Sequence, residues 1–419
     1  MNGLRQKIEQ EIRERGPIPF SRYMELCLYD PELGYYSRYA GQFGKAGDFY
    51  TSSDVHAVFG RLLARQFDEM WRVLGCPECI MVKELGPGRG LFAHDVLDWS
   101  EKKFPDFFHA LRYVLVESSP ALRRRIESTL GRHLASGKAE FGPSAFCDAS
   151  AEDYPSPAAE QRKNAAHGAS RGSGAHDEQA PKGRKTPPSL DARTPEALTI
   201  LFANEFVDAL PVEIVGSHGS LRVDSQNGRF VETWVPASAE ELEFLDRYSI
   251  HPEAGERVEV PLAAQQYTKQ VAGEIRRGFF IAIDYGYTRA EQLAGRHRGT
   301  LKAIRQHSVS ANPYEAPGEQ DITADVNFTA LAAVAEEQGM HVHKLVTQSQ
   351  FLMGIGEANQ FADAFEDCRL PQERAKVALQ LKHLVTPAGM GESFHVMVAS
   401  KGVEKDKVAG LAGLNFGRR

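Results

Sequence analysis

The chain has 419 residues, 42% hydrophobic and 25% charged, enough to bury a full core in one elaborated domain or two smaller ones. Its net charge of −7 argues against a broad nucleic-acid-binding surface. No apolar run approaches the ~20 residues of a membrane-spanning helix, and five cysteines without a recognisable signal peptide point to a reducing compartment. Cys76-Pro77-Glu78-Cys79 is a single CxxC with no second pair at zinc-site spacing, so no metal is assigned. The first helix carries Glu9, Glu11 and Glu14, unlike an acid-poor organelle transit peptide, and the resulting expectation is a soluble cytoplasmic protein.

A helical N-terminal segment covers residues 1–75, with apolar periodicity over 54–74 at Val58, Leu62 and Phe67. Within it, Asp48, Thr51 and Ser52 lie in a glycine-flanked polar loop that suits a lid, with a surface turn as the competing reading. An apolar strand over 80–85 then runs into Glu84-Leu85-Gly86-Pro87-Gly88-Arg89-Gly90. A second strand over 113–117 ends in Glu117-Ser118, a helix starts near Ser119-Pro120, and a third strand falls near 139–141. Residues 149–196 hold almost no large apolar side chain and are expected to form a disordered insertion. The core, first part 76–210, resumes with a buried-type strand that ends in Asn204-Glu205-Phe206-Val207-Asp208-Ala209-Leu210-Pro211. Residues 211–277 read as an inserted α+β lobe, with Asn227-Gly228 as a hairpin turn and helices over 239–248 and 262–277. A strand over 279–283 ends in Asp284-Tyr285; late strands over 341–347 and 394–400 close the core, 278–402, and 403–419 is a flexible tail.

Three glycines at spacing two let a chain bend sharply and approach a ligand, because no Cβ intervenes. Placed between strand and helix, such a turn aims free N–H groups at whatever sits there; a tight turn without a ligand is the competing reading. The spelling is neither GxGxxG nor a P-loop, which needs a Gly-Lys-Ser/Thr ending. An acid two residues before GxGxG resembles instead the first motif of S-adenosylmethionine-dependent methyltransferases. Glu117, at the end of the next strand, is placed to accept ribose hydroxyl hydrogens. Asn204 ends a further strand and could bond the cofactor's amino-acid end or the substrate. The candidate cofactor set is therefore Asp48, Thr51, Glu84, Gly86, Pro87, Gly88, Gly90, Glu117, Ser118 and Asn204, in an α/β fold with a Rossmann-like seven-stranded sheet.

The chain resembles the MidA-like family of S-adenosylmethionine-dependent methyltransferases over nearly its whole length outside the insertion. The resemblance rests on Gly16-Pro17-Ile18-Pro19-Phe20, Leu28-Tyr29-Asp30-Pro31, Gly34-Tyr35-Tyr36, Gly47 to Ser52, Glu84 to Gly90, Glu117 to Arg123, Asn204 to Pro211, Asp284 to Tyr287, Asp321-Ile322-Thr323-Ala324 and Met390-Gly391-Glu392. It implies a cofactor, S-adenosyl-L-methionine, and methylation of an arginine in a partner protein; mitochondrial members of the family are assembly factors for respiratory complex I. The chain departs from the family pattern at Ser53-Asp54 and His56, at Asp325 and Asn327, and at Ile304.

A sulfonium is an activated donor, so catalysis consists mainly of alignment and water exclusion. A guanidinium acceptor is always charged and calls for carboxylates that grip it bidentately. Glu205 and Asp208, at spacing three, would supply such a pair from one helical face; alternatively Asp208 caps a helix and only Glu205 faces the site. His307 and Asp321 could form an acid–base pair, with a structural or solvated loop histidine as the competing reading, and Asp284 reads as a turn former. Two other functions stay open: an assembly or chaperone-like protein that keeps the fold without turnover, and a small-molecule methyltransferase.

Overall fold

The computed structural model describes residues 3–38, 57–143, 198–305, 308–310 and 312–417. The chain divides into two compact units, 1–144 with 198–419, and 145–197. The second unit, which contains the whole of the expected insertion, lies outside the described residues.

The larger unit is built on one mixed sheet. Its strands in chain order are β1 (Ile80–Leu85), β2 (Leu111–Val116), β3 (Ala139–Phe141), β4 (Leu198–Asn204), β5 (Gly278–Tyr287), β6 (Val326–Asn327), β7 (His341–Val342), β8 (Val346–Thr347) and β9 (Phe394–Lys401). Seven of these follow one path, β7-β9-β5-β4-β1-β2-β3, while β6 pairs with β5 and β8 with β9, which makes nine strands. The late strand expected over 341–347 is thus two short ones against β9, separated by a non-strand segment. Strands β5, β4, β1, β2 and β3 are parallel and β9 runs antiparallel to β5. Parallel strands covered on both faces read as continuous apolar runs, as Leu201-Phe202-Ala203 and Phe279 to Ile283 do. Helices Val58–Val73 and Leu91–Lys103 lie against one another over the sheet, where Phe67, Phe92 and Phe202 meet; Phe92 stacks on Phe202 at 4.5 Å between ring centroids.

The chain leaves β1 toward β2 and β3 and then returns to β4 on the other side of β1. That reversal opens a crevice beyond the carboxyl ends of β1 and β4, the place where open α/β sheets bind ligands. Register brings the two ends level: Leu85 pairs with Ala203 on one side and with Val116 on the other.

Two segments that look separate in sequence form one lobe. Ile18 and Pro19 pair with Val223 and Arg222, and Leu4, Ile8, Phe20, Met24 and Leu28 share a core with Val212, Ile214 and Leu221. Residues Lys302–Arg305, Ser308–Ser310 and Asp321–Thr323 add a small three-stranded sheet that the periodicity did not reveal. The tail expected to be flexible is instead packed: Val408 and Leu411 are buried, the Ala412 N–H donates to Glu69 Oε2 at 3.0 Å and the Gly413 N–H to Gln66 Oε1 at 2.9 Å. Val408 and Leu411 dock it on the main core, with Val403 and Leu414 packed beside them.

Candidate active site

The three glycines of the β1 turn all adopt positive φ, +62° at Gly86, +54° at Gly88 and +75° at Gly90, yet each does so for a different reason. At Gly86 a Cβ would stand 2.7 Å from Phe206 Cδ2, so this glycine admits the loop that follows β4. At Gly90 a Cβ would meet Ile126 at 3.4 Å, an ordinary contact, so the requirement there is the backbone conformation itself. At Gly88 a Cβ meets nothing within 4 Å, which leaves the backbone open toward the crevice. The Gly86 N–H donates to Val116 O at 3.1 Å and the Gly90 N–H to Pro87 O at 2.8 Å, so the turn is tied to β2 and closed on itself around Pro87. Gly90 precedes the helix Leu91–Lys103, whose first N–H groups lack helical partners and favour a negative or electron-rich group.

Two buried carboxylates flank this turn. Glu84 accepts from the Tyr113 hydroxyl at 2.7 Å; burial, opposed by that hydrogen bond and aided by the neighbouring Glu117 charge, pushes it up to about 8. Glu117 accepts from the Ser119 N–H at 2.8 Å, and burial pushes it up to about 7 against the pull of the Ser119, Ser118 and Gly88 N–H groups. The cation beside this pair is Arg123, whose charge lowers Glu117 and whose Nε donates to the Glu117 carbonyl at 2.7 Å. Ser118 is half-buried and contributes its backbone here. Ser119 caps the helix Pro120–Ala135, and its hydroxyl donates to Tyr36 O at 2.8 Å, which brings the N-terminal lobe to the rim of the crevice.

The turn after β4 forms the opposite wall. No helix follows Asn204; Glu205 takes φ +49° and Leu210 closes a turn on Val207 at 3.1 Å. The expected shared helical face of Glu205 and Asp208 is therefore absent, and so is the alternative helix cap, because the N–H groups of this loop turn to a carboxylate on β5. Asp284 Oδ2 accepts the N–H groups of Phe206, Val207 and Asp208 at 3.2, 3.0 and 3.3 Å. Far from a simple turn former of its own strand, it shapes a loop 76 to 78 residues away. Asp208 is 6% exposed; Oδ2 receives the Tyr285 hydroxyl, and Oδ1 is buried with no hydrogen-bond partner among the described residues. Burial raises Asp208 above the usual carboxylate range, and burial with the Asp208 and Glu205 charges raises Asp284. Asn204 Nδ2 donates to Glu205 Oε1 at 3.2 Å, and Asn204 Oδ1 is likewise buried without a partner among the described residues.

A third wall comes from the N-terminal lobe. The Tyr29 hydroxyl donates to Ala209 O at 3.0 Å and the Tyr36 hydroxyl to Asp321 Oδ1 at 2.9 Å. Asp321 is thus engaged by Tyr36, while its expected partner His307, together with Asp48, Thr51 and Ser52, lies outside the described residues. Asp325 pairs with Lys302 at 2.8 Å and His297 at 3.0 Å, and Asn327 caps the helix Phe328–Glu337, so both departures from the family pattern have structural work here. Cys76 and Cys79 are exposed free thiols, and no group of three metal-ligating side chains occurs among the described residues.

The residues fit S-adenosyl-L-methionine. Gly88 leaves an open cradle, Glu117 stands at the end of β2 with acceptor capacity for a ribose, Glu84 and Asn204 sit on either side of the turn, and the acidic walls suit a cationic donor.

Comparison with known proteins agrees with this geometry. A family described as S-adenosyl-L-methionine-dependent methyltransferases matches residues 62–346. The chain is 28% identical to "Protein arginine methyltransferase NDUFAF7 homolog, mitochondrial" of Drosophila melanogaster, over 96% of this chain and 85% of that protein. It is 25% identical to "Protein arginine methyltransferase NDUFAF7, mitochondrial" of Homo sapiens, over 92% and 80%. A crystal structure of a COG1565 superfamily member from Burkholderia thailandensis bound to S-adenosyl-homocysteine superposes with a TM-score of 0.75 at 27% identity, over 98% of this chain and 94% of that one. The mitochondrial relatives overturn the cytoplasmic expectation. That expectation rested on the acids of Gly3–Arg15, a helix whose Leu4, Ile8 and Ile12 are buried in the lobe core, so its charge pattern reflects folding and not address.

Proposed function

We propose, for a chain that belongs to this family of S-adenosyl-L-methionine-dependent methyltransferases, that the acceptor is an arginine side chain of a partner protein. The observation that carries this reading is the acidic wall opposite the glycine turn. Asp208 and Asp284 are buried, and the carboxylate Oδ1 of Asp208 lacks a hydrogen-bond partner among the described residues. A buried carboxylate is costly unless paired, and an incoming guanidinium supplies both the charge and the N–H donors. The names of the curated relatives support the same acceptor. The finer reading, on the motif resemblance, takes the partner to be a subunit of respiratory complex I.

The bound cofactor supplies an electrophilic methyl group on sulfur; the chain's residues align and shield it. Gly86, Pro87, Gly88 and Gly90 would cradle its amino-acid end with Glu84 and Asn204, and Glu117 with the Ser118 backbone would hold the ribose. Asp48 and Thr51 would complete the cofactor contacts. Glu205, beside Asn204 at the mouth, and Asp208, deeper, would grip the guanidinium and leave one nitrogen in line with the methyl carbon. Phe206, packed on Gly86, couples the acceptor loop to the cofactor turn. To test the reading, the protein is incubated with mitochondrial extract and tritiated cofactor, and precipitated protein is hydrolysed for amino-acid analysis. Tritium in methylarginine supports it; tritium confined to the small-molecule fraction refutes it.

A further inference from the structure

Methylation of a guanidinium leaves one proton too many, and the structure offers a place for it. Asp208 presents Oδ1 from a buried position while its other oxygen is held by the Tyr285 hydroxyl. The Asp208 backbone is fixed at both ends, by the Asp284 carboxylate on its N–H at 3.3 Å and by the Ala324 N–H on its carbonyl at 3.0 Å. We propose that Asp208 accepts through Oδ1 the proton that the acceptor nitrogen loses, and that Tyr285 is the positioning residue that holds the carboxylate for it. This rests on the arginine reading above.

The step balances without a further reactant. The carbon–sulfur bond breaks, its electron pair leaves with sulfur as a neutral thioether, and a nitrogen–carbon bond forms from the acceptor's pair. A nitrogen–hydrogen bond then breaks, its electrons stay on nitrogen, and the proton passes to Oδ1. Sulfonium, guanidinium and carboxylate, net charge one, become thioether, methylguanidinium and carboxylic acid, again net charge one.

The surroundings suit a proton acceptor over a permanently ionised clamp. Burial and the Asp325 charge raise Asp208, opposed by the Tyr285 hydrogen bond and by the backbone N–H groups of Ala209 and of Asp208 itself. Glu205 and Asp284 face the same loop and interact with each other's charge, Tyr36 approaches from the N-terminal lobe, and Lys302 stands 5.0 Å over the Tyr285 ring and is already paired with Asp325. The alternative role for the Asp208–Tyr285 pair is purely to brace the loop against β5, which would leave no mark on the pH dependence of transfer.

The test is the pH–rate profile of methylarginine formation in the extract assay, for the intact protein and for Tyr285→Phe. Loss of the hydroxyl removes a donor to the ionised carboxylate, so the acid limb should move upward by roughly one pH unit. Asp208→Asn, which keeps the shape, should lower the rate by about 100-fold or more while affinity for S-adenosyl-homocysteine stays within twofold. An unmoved acid limb in Tyr285→Phe, or an Asp208→Asn rate near that of the intact protein, overturns the assignment. Absence of methylarginine from the intact protein's reaction overturns the arginine reading and this inference together.

Discussion

The Tyr113 hydroxyl reaches Glu84 Oε2 at 2.7 Å from the adjoining strand, a diagonal cross-strand pair in which Tyr113 opposes Val82 and Glu84 opposes Leu115. It places a proton donor directly beneath the cofactor turn. Glu84, at about 8, and Glu117, at about 7, both stand above the usual carboxyl value of 4.5 because they are buried. Their folded forms therefore favour the proton. Stability from these groups is fully present below pH ~4.5 and is lost as pH rises through about 8. The cofactor-free protein should show a falling Tm over that window, and Glu84→Gln should flatten the fall. A Tm that is independent of pH in both proteins would contradict the assignment.

The cofactor is cationic at sulfur and at its ammonium, so binding favours ionised Glu84 and Glu117 and should release protons near neutral pH. Calorimetry in two buffers of different ionisation enthalpy should show this as a buffer-dependent heat, and affinity should rise between pH 6 and 8. Tyr113→Phe removes the donor that favours the ionised acid, and should weaken binding at pH 7 by about tenfold or less.

Gly88 offers the cleanest steric test. A Cβ there meets no protein atom within 4 Å, although φ of +54° makes any L-residue strained. Gly88→Val should cost about 1–2 kcal/mol of stability and abolish cofactor binding. Gly86→Ala differs, because its Cβ would meet Phe206 at 2.7 Å and displace the acceptor loop. It should lower turnover more than cofactor affinity. Equal losses of affinity in the two variants would contradict the separate roles.

Truncation after Lys401 removes the buried Val408 and Leu411 and the backbone hydrogen bonds to Glu69 and Gln66. Burial of two such side chains contributes about 2–3 kcal/mol each. The truncated protein should melt several degrees lower, as read by differential scanning calorimetry, and an unchanged Tm would show that the tail contributes nothing.

Much of the sheet was legible because buried parallel strands are written as apolar runs that end in polar turns, as at Ile80 to Leu85 and Leu198 to Asn204. The cofactor turn was legible because glycine at positive φ is a local requirement. What hid was non-local. That Ile18 and Pro19 pair with Val223 and Arg222 in a strand far along the chain, that Asp284 shapes the loop at Phe206 to Asp208, and that Tyr36 meets Asp321 all depend on contacts with no periodic signature. The helical spacing of Glu205 and Asp208 misled for the same reason: three backbone hydrogen bonds to a distant carboxylate outweighed the local preference. Tyr285, next to Asp284 at the end of a strand, was a visible polar signal whose partner Asp208 was not.

The most direct test of the acceptor assignment uses heavy-methyl cofactor with mitochondrial extract and compares the intact protein with Glu205→Gln by mass spectrometry of the labelled peptides. The account predicts the heavy methyl on arginine side-chain nitrogens of one or a few proteins, and its loss with Glu205→Gln although that variant binds S-adenosyl-homocysteine as the intact protein does. Heavy methyl on arginine at equal levels with both proteins, or none on arginine at all, would contradict it.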